Sequence, residues 1–368
     1  MEVKKAYKFR IYPNQTQTQL FEQTFGCSRF LYNRALYETK EAGTKFRKTP
    51  VITEIPKLKK AFTWLKAVDS IALQASIENL DDAFIRFYRK QTKFPRFKSK
   101  KNLVKSYTTK AVNGNIKLEN NKIKLPKVGW IRYAKSREVK GTIKRVTVRK
   151  NAAGKYFVSI LAVVEHNYNR NHTNETVGLD LGLTDFLITN EGSKIKNPRH
   201  QKKYEQKLQH AQRTLSRRTN GSSNWHKQKN KVARIHEKIV NARRDFQHKL
   251  SRQLVDQFDV IGIESLSVAK MLKNSDRAKS ISDASWSEFI TMIKYKAEWY
   301  GSAIVEVGKL FPSTQLCSVC GHKEKSVKDD TVRVWICPNC HTNHDRDINA
   351  ACNIKKEAER LLTKSKSA

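Results

Sequence analysis

The sequence is short of acidic residues, of cysteine and of long apolar runs. Its 368 residues contain 34 Asp and Glu against 73 Lys and Arg, which gives a formal net charge of +39. No apolar run approaches the roughly 18 residues that a membrane-spanning helix needs. The N-terminus also lacks the apolar core and the cleavage site of a secretory signal. We therefore expect a soluble, cytoplasmic and nucleoid-associated protein.

The excess of positive charge indicates a polyanionic partner. Uncompensated charges of one sign repel each other, and nucleic acid is the natural polyanion that neutralises them, in a strongly salt-dependent way. The basic residues are concentrated in two stretches, 91–150 and 192–255, and are spread over several elements rather than one tail. A surface charge that serves only solubility is the alternative. The distribution favours a long or branched nucleic acid that several surfaces follow.

The hydrophobic pattern predicts an α+β chain of several domains. Residues 3–12 alternate as in a strand, and apolar residues recur at helical spacing over residues 13–92. From residue 93 to about 170, short β-rich runs are separated by Asn and Gly turns, which is typical of a β-barrel or sandwich. We expect the opening strand to join this β-region, so that the helical domain is an insertion.

A polar linker at residues 165–175 leads to a last domain in which strands and helices alternate. Two helices, 198–217 and 226–256, are predicted to pack as a coiled-coil-like pair, because the second has one apolar face. Its other face is Lys, Arg and His, and we expect a nucleic-acid wall rather than a merely solvated face. The pattern further predicts a two-stranded hairpin over 177–195, a buried strand over 259–266, a helix over 285–300, a strand over 303–308 and a closing helix over 347–362.

Four of the six cysteines stand in two Cys-x-x-Cys pairs. They are Cys317 and Cys320, then Cys337 and Cys340. Two such pairs a loop apart supply the four thiolates of a tetrahedral zinc ribbon. A redox motif could account for either pair alone but not for both. Because cysteine fills all four positions, this zinc is predicted to be structural. His341 and His344 follow as alternative ligands, which four cysteines make unnecessary.

Three acidic residues stand in the middle of an apolar strand, at the end of another and at the start of a helix. Asp180 lies in VGLDLG, Glu264 ends VIGIE, and Asp347 opens the last helix beside Asp345. Such carboxylates are costly beside buried strands unless they are paired or bind metal. Their order suits an RNase H-like nuclease in which two Mg²⁺ ions roughly 3.5–4 Å apart serve phosphodiester hydrolysis. A helix cap is the alternative for Asp347 alone, and Asp185 is a weaker candidate that we expect in a turn.

At this point the chain resembles the TnpB family of transposon-encoded RNA-guided nucleases, which are related to compact type V CRISPR effectors. The resemblance covers nearly the whole chain. It rests on segments that occur in the family's order: RIYPNQTQ, CSRFLYNRAL, FPRFKSK, LPKVGW, VGLDLG, GIESL, ISDASWSEF, FPSTQLCSVCG, CPNC and HDRDINAACNI. The last five together are highly specific, whereas each alone would be a modest signal.

The resemblance implies the domains, the catalytic residues and the partners. The domains would be a β-barrel wedge domain (1–12 and 93–170), an inserted helical recognition domain (13–92), a RuvC-like nuclease domain (171–310 and 343–368) and a zinc-ribbon insertion (311–342). The implied catalytic triad is Asp180, Glu264 and Asp347, with Mg²⁺ or Mn²⁺ as cofactor besides Zn²⁺. The partners would be a guide RNA and double-stranded target DNA. Gln74 and Asn113 match the positions that read a transposon-adjacent motif.

Two other functions share most of these features. A transposase without a guide also uses three acidic residues and metal, but it would be fully active when free of RNA. A nucleic-acid-binding regulator would bind the same partners without cleaving them, and replacing Asp180 would then leave a cleavage assay unchanged. All three acidic positions follow the family pattern, so we rank the guided endonuclease first.

Overall fold

The computed structural model describes residues 2–165, 173–273, 277–329 and 331–366. The chain divides into two compact units, residues 1–166 and 167–368. Most of the predicted linker at residues 165–175 lies outside the described residues. Within those ranges, no helix is long and apolar enough to cross a membrane.

The first unit combines one antiparallel sheet with three helices. Its strands are β1 (Glu2–Tyr12), β2 (Lys105–Lys110), β3 (Lys117–Glu119), β4 (Lys122–Leu125), β5 (Gly129–Tyr133), β6 (Thr142–Lys150) and β7 (Tyr156–Glu165), and its helices are α1 (Gln15–Ala42), α2 (Lys48–Ala61) and α3 (Ser70–Tyr88). The strand order is β2-β6-β7-β1-β5-β4-β3. β1 therefore lies in the middle of a sheet whose other strands all follow the helices in sequence. In the described part of the chain, the end strands β2 and β3 are not paired with each other. The sheet is therefore open.

The helices of the first unit start from clear local signals. Asn14 caps α1: its side chain accepts a hydrogen bond from the Gln17 amide (2.9 Å), and the Gln17 side chain accepts one from the Asn14 amide (3.1 Å). Phe21 and Phe25 of α1 pack on the sheet, whereas the following turns of α1 form a separate core with α2 and α3. The helix α2 contains Pro56 in its interior.

The second unit is built on a mixed five-stranded sheet. Its elements are β8 (Thr176–Asp180), β9 (Asp185–Thr189), β10 (Lys194–Lys196), α4 (His200–Ser216), α5 (Ser223–Gln257), β11 (Val260–Glu264), α6 (Val268–Met271), α7 (Ala278–Ala284), α8 (Trp286–Tyr300), β12 (Ala303–Val307), β13 (Val334–Ile336), β14 (Asn343–Asp345) and α9 (Arg346–Lys366). The order is β10-β9-β8-β11-β12, with β8, β11 and β12 parallel. The region expected to form a two-stranded hairpin thus contains three strands.

Alternating residues of β8 and β11 face two different layers of helices. Val177, Leu179, Ile261 and Ile263 are fully buried in a core that also contains residues of α5, α7 and α8. The residues between them face α9, because successive strand residues point to opposite faces. Both faces of the central strands are therefore covered, which explains why these strands are largely apolar up to the acidic residue that ends each of them.

The helices α4 and α5 pack against each other through a small apolar core. Leu208 and Ala211 of α4 meet Ile235 and Ile239 of α5. The outer face of α5 exposes a row of cationic side chains, namely Lys227, Lys231, Arg234 and Lys238. The pair therefore presents positive charge away from its apolar seam.

Candidate active site and zinc centre

Two neighbouring parallel strands bring two acidic residues to one edge of the sheet. β8 ends at Asp180 and β11 ends at Glu264. Leu179 is paired with Ile263 in this parallel register. Since the carboxyl ends of parallel strands lie at the same edge, the two carboxylates leave the sheet from adjacent positions.

A pair of glycines allows α9 to lie directly on these two strands. Gly178 and Gly262 are partners in the β8–β11 register, and each precedes its acidic residue by two positions. A Cβ atom at Gly178 would lie 2.0 Å from the carbonyl oxygen of Ala351, and one at Gly262 would lie 2.8 Å from the Cβ of Ala358. Such contacts are sterically forbidden, so only glycine permits this approach. The contact fixes α9, whose first turn carries Asp347.

Two aspartates at the start of α9 have different roles. Asp345 Oδ1 accepts hydrogen bonds from the amides of Asp347 and Ile348 (both 3.1 Å), and Asp345 Oδ2 pairs with Lys194 (2.5 Å). Asp345 is thus the N-terminal cap of the helix. The side chain of Asp347 lines the same cleft as Asp180 and Glu264. The cap therefore belongs to Asp345 and leaves Asp347 available for the cleft.

The cleft has a volume of about 830 Å³ and an acidic floor with a basic rim. The cationic side chains that line it are Arg199, Lys202, Arg277, Lys279, Arg333 and Arg346. Arg333 Nη1 lies 3.1 Å from Asp347 Oδ2, and Arg346 Nη1 lies 3.6 Å from Asp347 Oδ1. A cleft of this kind suits a phosphate-bearing substrate, because the arginines attract phosphate while the acidic groups remain at its base.

The three carboxylates affect one another electrostatically. Burial and, after it, the negative charges of Glu264 and Asp347 raise the pKa of Asp180 to about 8, while Arg346 and Arg333 oppose the shift. Their oxygen atoms do not form a closed cluster: in the described ranges, no group of three acidic side chains has its oxygens all within 4.8 Å of one another. Each of the three carboxylates lines the cleft, and their mutual repulsion is what a bound cation would relieve.

The donors present fit a hard divalent cation. All three groups are carboxylates at the base of an open cleft, and Mg²⁺ and Mn²⁺ prefer oxygen ligands and keep some positions for water or substrate phosphate. Asp185, the weaker candidate of the sequence, begins β9 and is buried, and it pairs with Lys196 at 3.0 Å. It lines the same cleft, but its partner is a lysine.

The four cysteines of the two Cys-x-x-Cys pairs form one compact group. All four sulfur atoms lie within 4.8 Å of one another, and the Sγ atoms of Cys317 and Cys340 and those of Cys320 and Cys337 are each 3.6 Å apart. Tetrahedral zinc with Zn–S bonds of about 2.3 Å requires sulfur separations of about 3.8 Å. The four cysteine sulfurs are thus spaced to bind one zinc ion.

A histidine supports this thiol group from outside. His344 of β14 is buried, its Nε2 lies 3.0 Å from Cys317 Sγ, and its ring packs on Trp335 at 4.9 Å. His341, in contrast, is exposed at a positive φ of 56° in the turn after the last cysteine. With four sulfurs in place, His344 is suited to donate a hydrogen bond to a thiolate rather than to bind the metal.

The two residues assigned to motif reading lie in the first unit. Gln74 is an exposed residue of α3. Asn113 is exposed in a turn and adopts a positive φ of 51°, a conformation that asparagine tolerates better than most residues. The turn is therefore one sufficient reason for asparagine at this position, independent of any role in reading the motif.

Sequence reasoning did not find several residues that shape the second unit's site. The glycine pair carried a signal, since each glycine stands two residues before an acidic residue in an otherwise β-branched strand. Arg333 and Arg346 pair with Asp347, and Ser313 donates a hydrogen bond to Glu264. Ser313 and Arg333 had no local signal, because their contacts depend on the path of the chain through the zinc-binding insertion.

Family models match three segments of the chain, and two relatives align with nearly all of it. One model, described as a probable transposase, matches residues 159–275, a Cas12f1-like TNB domain matches residues 286–354, and a helix-turn-helix domain matches residues 1–48. A candidate RNA-guided DNA endonuclease of Streptomyces pristinaespiralis is 37% identical over 96% of this chain and 89% of its own. A second one, from Escherichia coli K12, is 34% identical over 97% and 93%. The chain belongs to the TnpB family.

Structural likeness extends this family relationship to the fold. The Cas12f1 chain of a Cas12f1–sgRNA–target DNA complex superposes with a TM-score of 0.61 at 12% identity, covering 96% of this chain and 99% of that one. The relatives confirm the family resemblance predicted from sequence, and the structural match at 12% identity shows the fold alone. In this TnpB-family chain, the segment that matches the helix-turn-helix model contains β1, α1 and the turn that leads to α2, which begins at Lys48.

Proposed function

We propose that this protein is an RNA-guided DNA endonuclease that hydrolyses phosphodiester bonds with divalent cations held by Asp180, Glu264 and Asp347. The observation that carries the proposal is the convergence of these three acids, from two strand ends and one helix start, on a single cleft with a basic rim. Bound Mg²⁺ or Mn²⁺ would supply an activated water and stabilise the leaving oxygen.

The comparisons support the choice of partners. Relatives at 34–37% identity carry the name of RNA-guided DNA endonucleases, and the fold matches a protein solved with a guide RNA and target DNA. The family resemblance implies a guide that is a structured RNA derived from the transposon end. We therefore propose such an RNA and double-stranded DNA as partners, with sequence selectivity supplied by pairing of guide and target.

The basic residues of each unit offer surfaces for a nucleic-acid backbone. In the second unit these are the outer face of α5 and the rim of the cleft. In the first unit, Phe97 is 51% exposed within the basic segment 94–101. This segment is fixed to α1, because the Asn33 side chain bonds both the carbonyl (3.0 Å) and the amide (2.8 Å) of Lys98. A rigidly held exposed aromatic ring among cations is suited to stack on an unpaired base.

Reading of the adjacent DNA motif is assigned to Gln74 and Asn113. Both side chains are exposed, and amide groups can bond the edge of adenine in the major groove. Replacing either residue with alanine is expected to change which adjacent motif supports cleavage. Cleavage of the target with the preferred motif should fall, and binding of the guide RNA should not change.

Cleavage by protein purified with its RNA tests the main proposal. The substrate is DNA with a guide-matched target and a library of flanking sequences, assayed with Mg²⁺, with Mn²⁺ and with neither. We expect metal-dependent cleavage that is lost in Asp180→Ala, Glu264→Ala and Asp347→Ala, and retained in the matched control Glu191→Gln, which removes an exposed acid from a turn.

The outcomes separate the rival functions. Full activity after removal of RNA would favour a transposase that needs no guide, in line with the name of one matching family model. Guide-dependent DNA binding without cleavage under any metal condition would show a regulator. Cleavage that persists in all three alanine variants would refute the assignment of the acidic cleft.

A further inference from the structure

One hydroxyl group connects the zinc-binding insertion to the acidic cleft. Ser313 lies between β12 and the first cysteine pair and is 4% exposed. Its Oγ donates a hydrogen bond to Oε1 of Glu264, which stands 49 residues earlier in the chain. The Glu264 carboxylate thus accepts a hydrogen bond from a residue that has no role in the sequence-based prediction of the site.

Two buried asparagines of α9 hold the segment that carries this hydroxyl. Asn353 Nδ2 donates to the carbonyl oxygens of Ser313 (2.8 Å) and Leu316 (2.7 Å). Asn349 Nδ2 also donates to the Leu316 carbonyl (2.7 Å), and its Oδ1 accepts from the Ser318 amide (2.8 Å). Asn349 is 2% and Asn353 is 5% exposed. The segment is therefore fixed, at both ends, to the helix that also supplies the third acidic residue.

We propose that Ser313 is a positioning residue that orients Glu264 towards the catalytic cation, and that Asn353 sets the place of Ser313. A glutamate side chain has several rotatable bonds and loses metal affinity when it must be ordered on binding. A buried hydroxyl that bonds Oε1 removes that freedom and leaves Oε2 for the cation. Hydrogen bonds of this outer kind typically change metal affinity about 10–100-fold.

The inference rests on the proposed function, because it presumes that Glu264 binds a cation. A purely structural Ser313 would fill space in the core, and its loss would lower stability without a specific effect on metal binding. The two roles therefore differ in the affinity for the catalytic cation, measured independently of cleavage.

Binding of Mn²⁺ to the full-length protein, followed by electron paramagnetic resonance with zinc content and thermal midpoint as parallel readouts, tests this role. We expect Ser313→Ala to raise the Kd for Mn²⁺ about 10–100-fold with zinc content unchanged, and Ser313→Thr to restore binding. The matched control Ser318→Ala removes a hydroxyl from the same segment. Ser318 bonds Asn349 through its backbone amide, which the substitution keeps, so Mn²⁺ binding should not change.

The contrary results are distinct. If wild-type protein binds Mn²⁺ and Glu264→Gln weakens binding while Ser313→Ala does not, the positioning role is refuted and the metal site stands. If Glu264→Gln also leaves Mn²⁺ binding unchanged, the metal site and with it the proposed function fail. Should Ser313→Ala not fold, Ser313→Cys keeps the volume but donates weakly, and wild-type affinity in that variant would refute the role.

Discussion

Replacing Asp180 with asparagine should stabilise the metal-free second unit while it abolishes cleavage. Burial and the charges of Glu264 and Asp347 raise the pKa of Asp180 to about 8 from an ordinary 3.8. The folded state therefore binds more protons than the unfolded state between these two values, so wild-type stability falls as pH rises through that window. Asparagine has nearly the same shape and does not titrate, so the variant should lack this loss.

The magnitude follows from the shift. One pKa unit corresponds to about 1.4 kcal/mol, so the stability gap between Asp180→Asn and wild type should widen by about 2–3 kcal/mol from roughly pH 5.5 to 7.5. Below about pH 4 both forms carry a neutral group and the gap should be smallest. Added Mg²⁺ should reverse the order, because it stabilises only the protein that binds it.

Hydrogen exchange of peptides from β8 and β11 measures this gap for the second unit alone, since amides in core strands exchange through global opening of their own domain. Each variant is compared with wild type at the same pH, so intrinsic exchange rates cancel. The control Glu191→Gln is compared in the same way, because Glu191 is exposed and does not line the cleft. A gap for Asp180→Asn that is flat between pH 5.5 and 7.5 would contradict the carboxylate repulsion on which the site assignment relies.

Three further changes test other parts of the molecule. Cys317→Ser should lower zinc content below one per chain and destabilise residues 311–345, because metal binding contributes to folding; full zinc occupancy by mass spectrometry would contradict the four-cysteine site. Burial lowers the pKa of Lys296 to about 8 from 10.5. The stability of wild type relative to Lys296→Met should therefore rise by about 3 kcal/mol from roughly pH 8 to 10.5. A difference that stays constant over this range would contradict the burial of the charged group. Phe97→Ala should weaken guide RNA binding by about 1–3 kcal/mol in a filter-binding assay, while Phe97→Trp should not; equal binding by both would exclude stacking.

Much of the candidate site could be predicted because its residues lie in short sequence segments with a recognisable pattern. Two Cys-x-x-Cys pairs define a tetrahedral thiolate site by spacing alone, and the structure brings their sulfurs within 4.8 Å of one another. Asp180 and Glu264 end apolar runs, which in a parallel sheet places them at one edge. The choice of Asp347 over Asp345 came from the family motif, and the cap formed by Asp345 now gives it a physical reason.

Other features could not be predicted, because they depend on tertiary contacts. The helix α2 starts at Lys48, although Pro56 in its middle interrupts the backbone hydrogen bonding that a helix needs. Its buried Ile55 and Leu58 belong to the core shared with α1 and α3, and this packing outweighs local propensity. Among the described residues, the first sheet is likewise open, with β2 and β3 as end strands that are not paired with each other. The alternation of residues along a strand does not predict which strands pair, so the sequence pattern could not show whether the sheet closes.

The glycine pair shows how the site couples packing to chemistry. Gly178 and Gly262 contribute no atom to the cleft, yet α9 contacts the backbone at both positions. Because Asp347 lies one helical turn before Ala351, any outward shift of α9 moves Asp347 away from the two strand ends. The positions of the three carboxylates therefore depend on two residues that have no side chain. In such sheets, an acidic residue and the glycine two positions before it should be considered together.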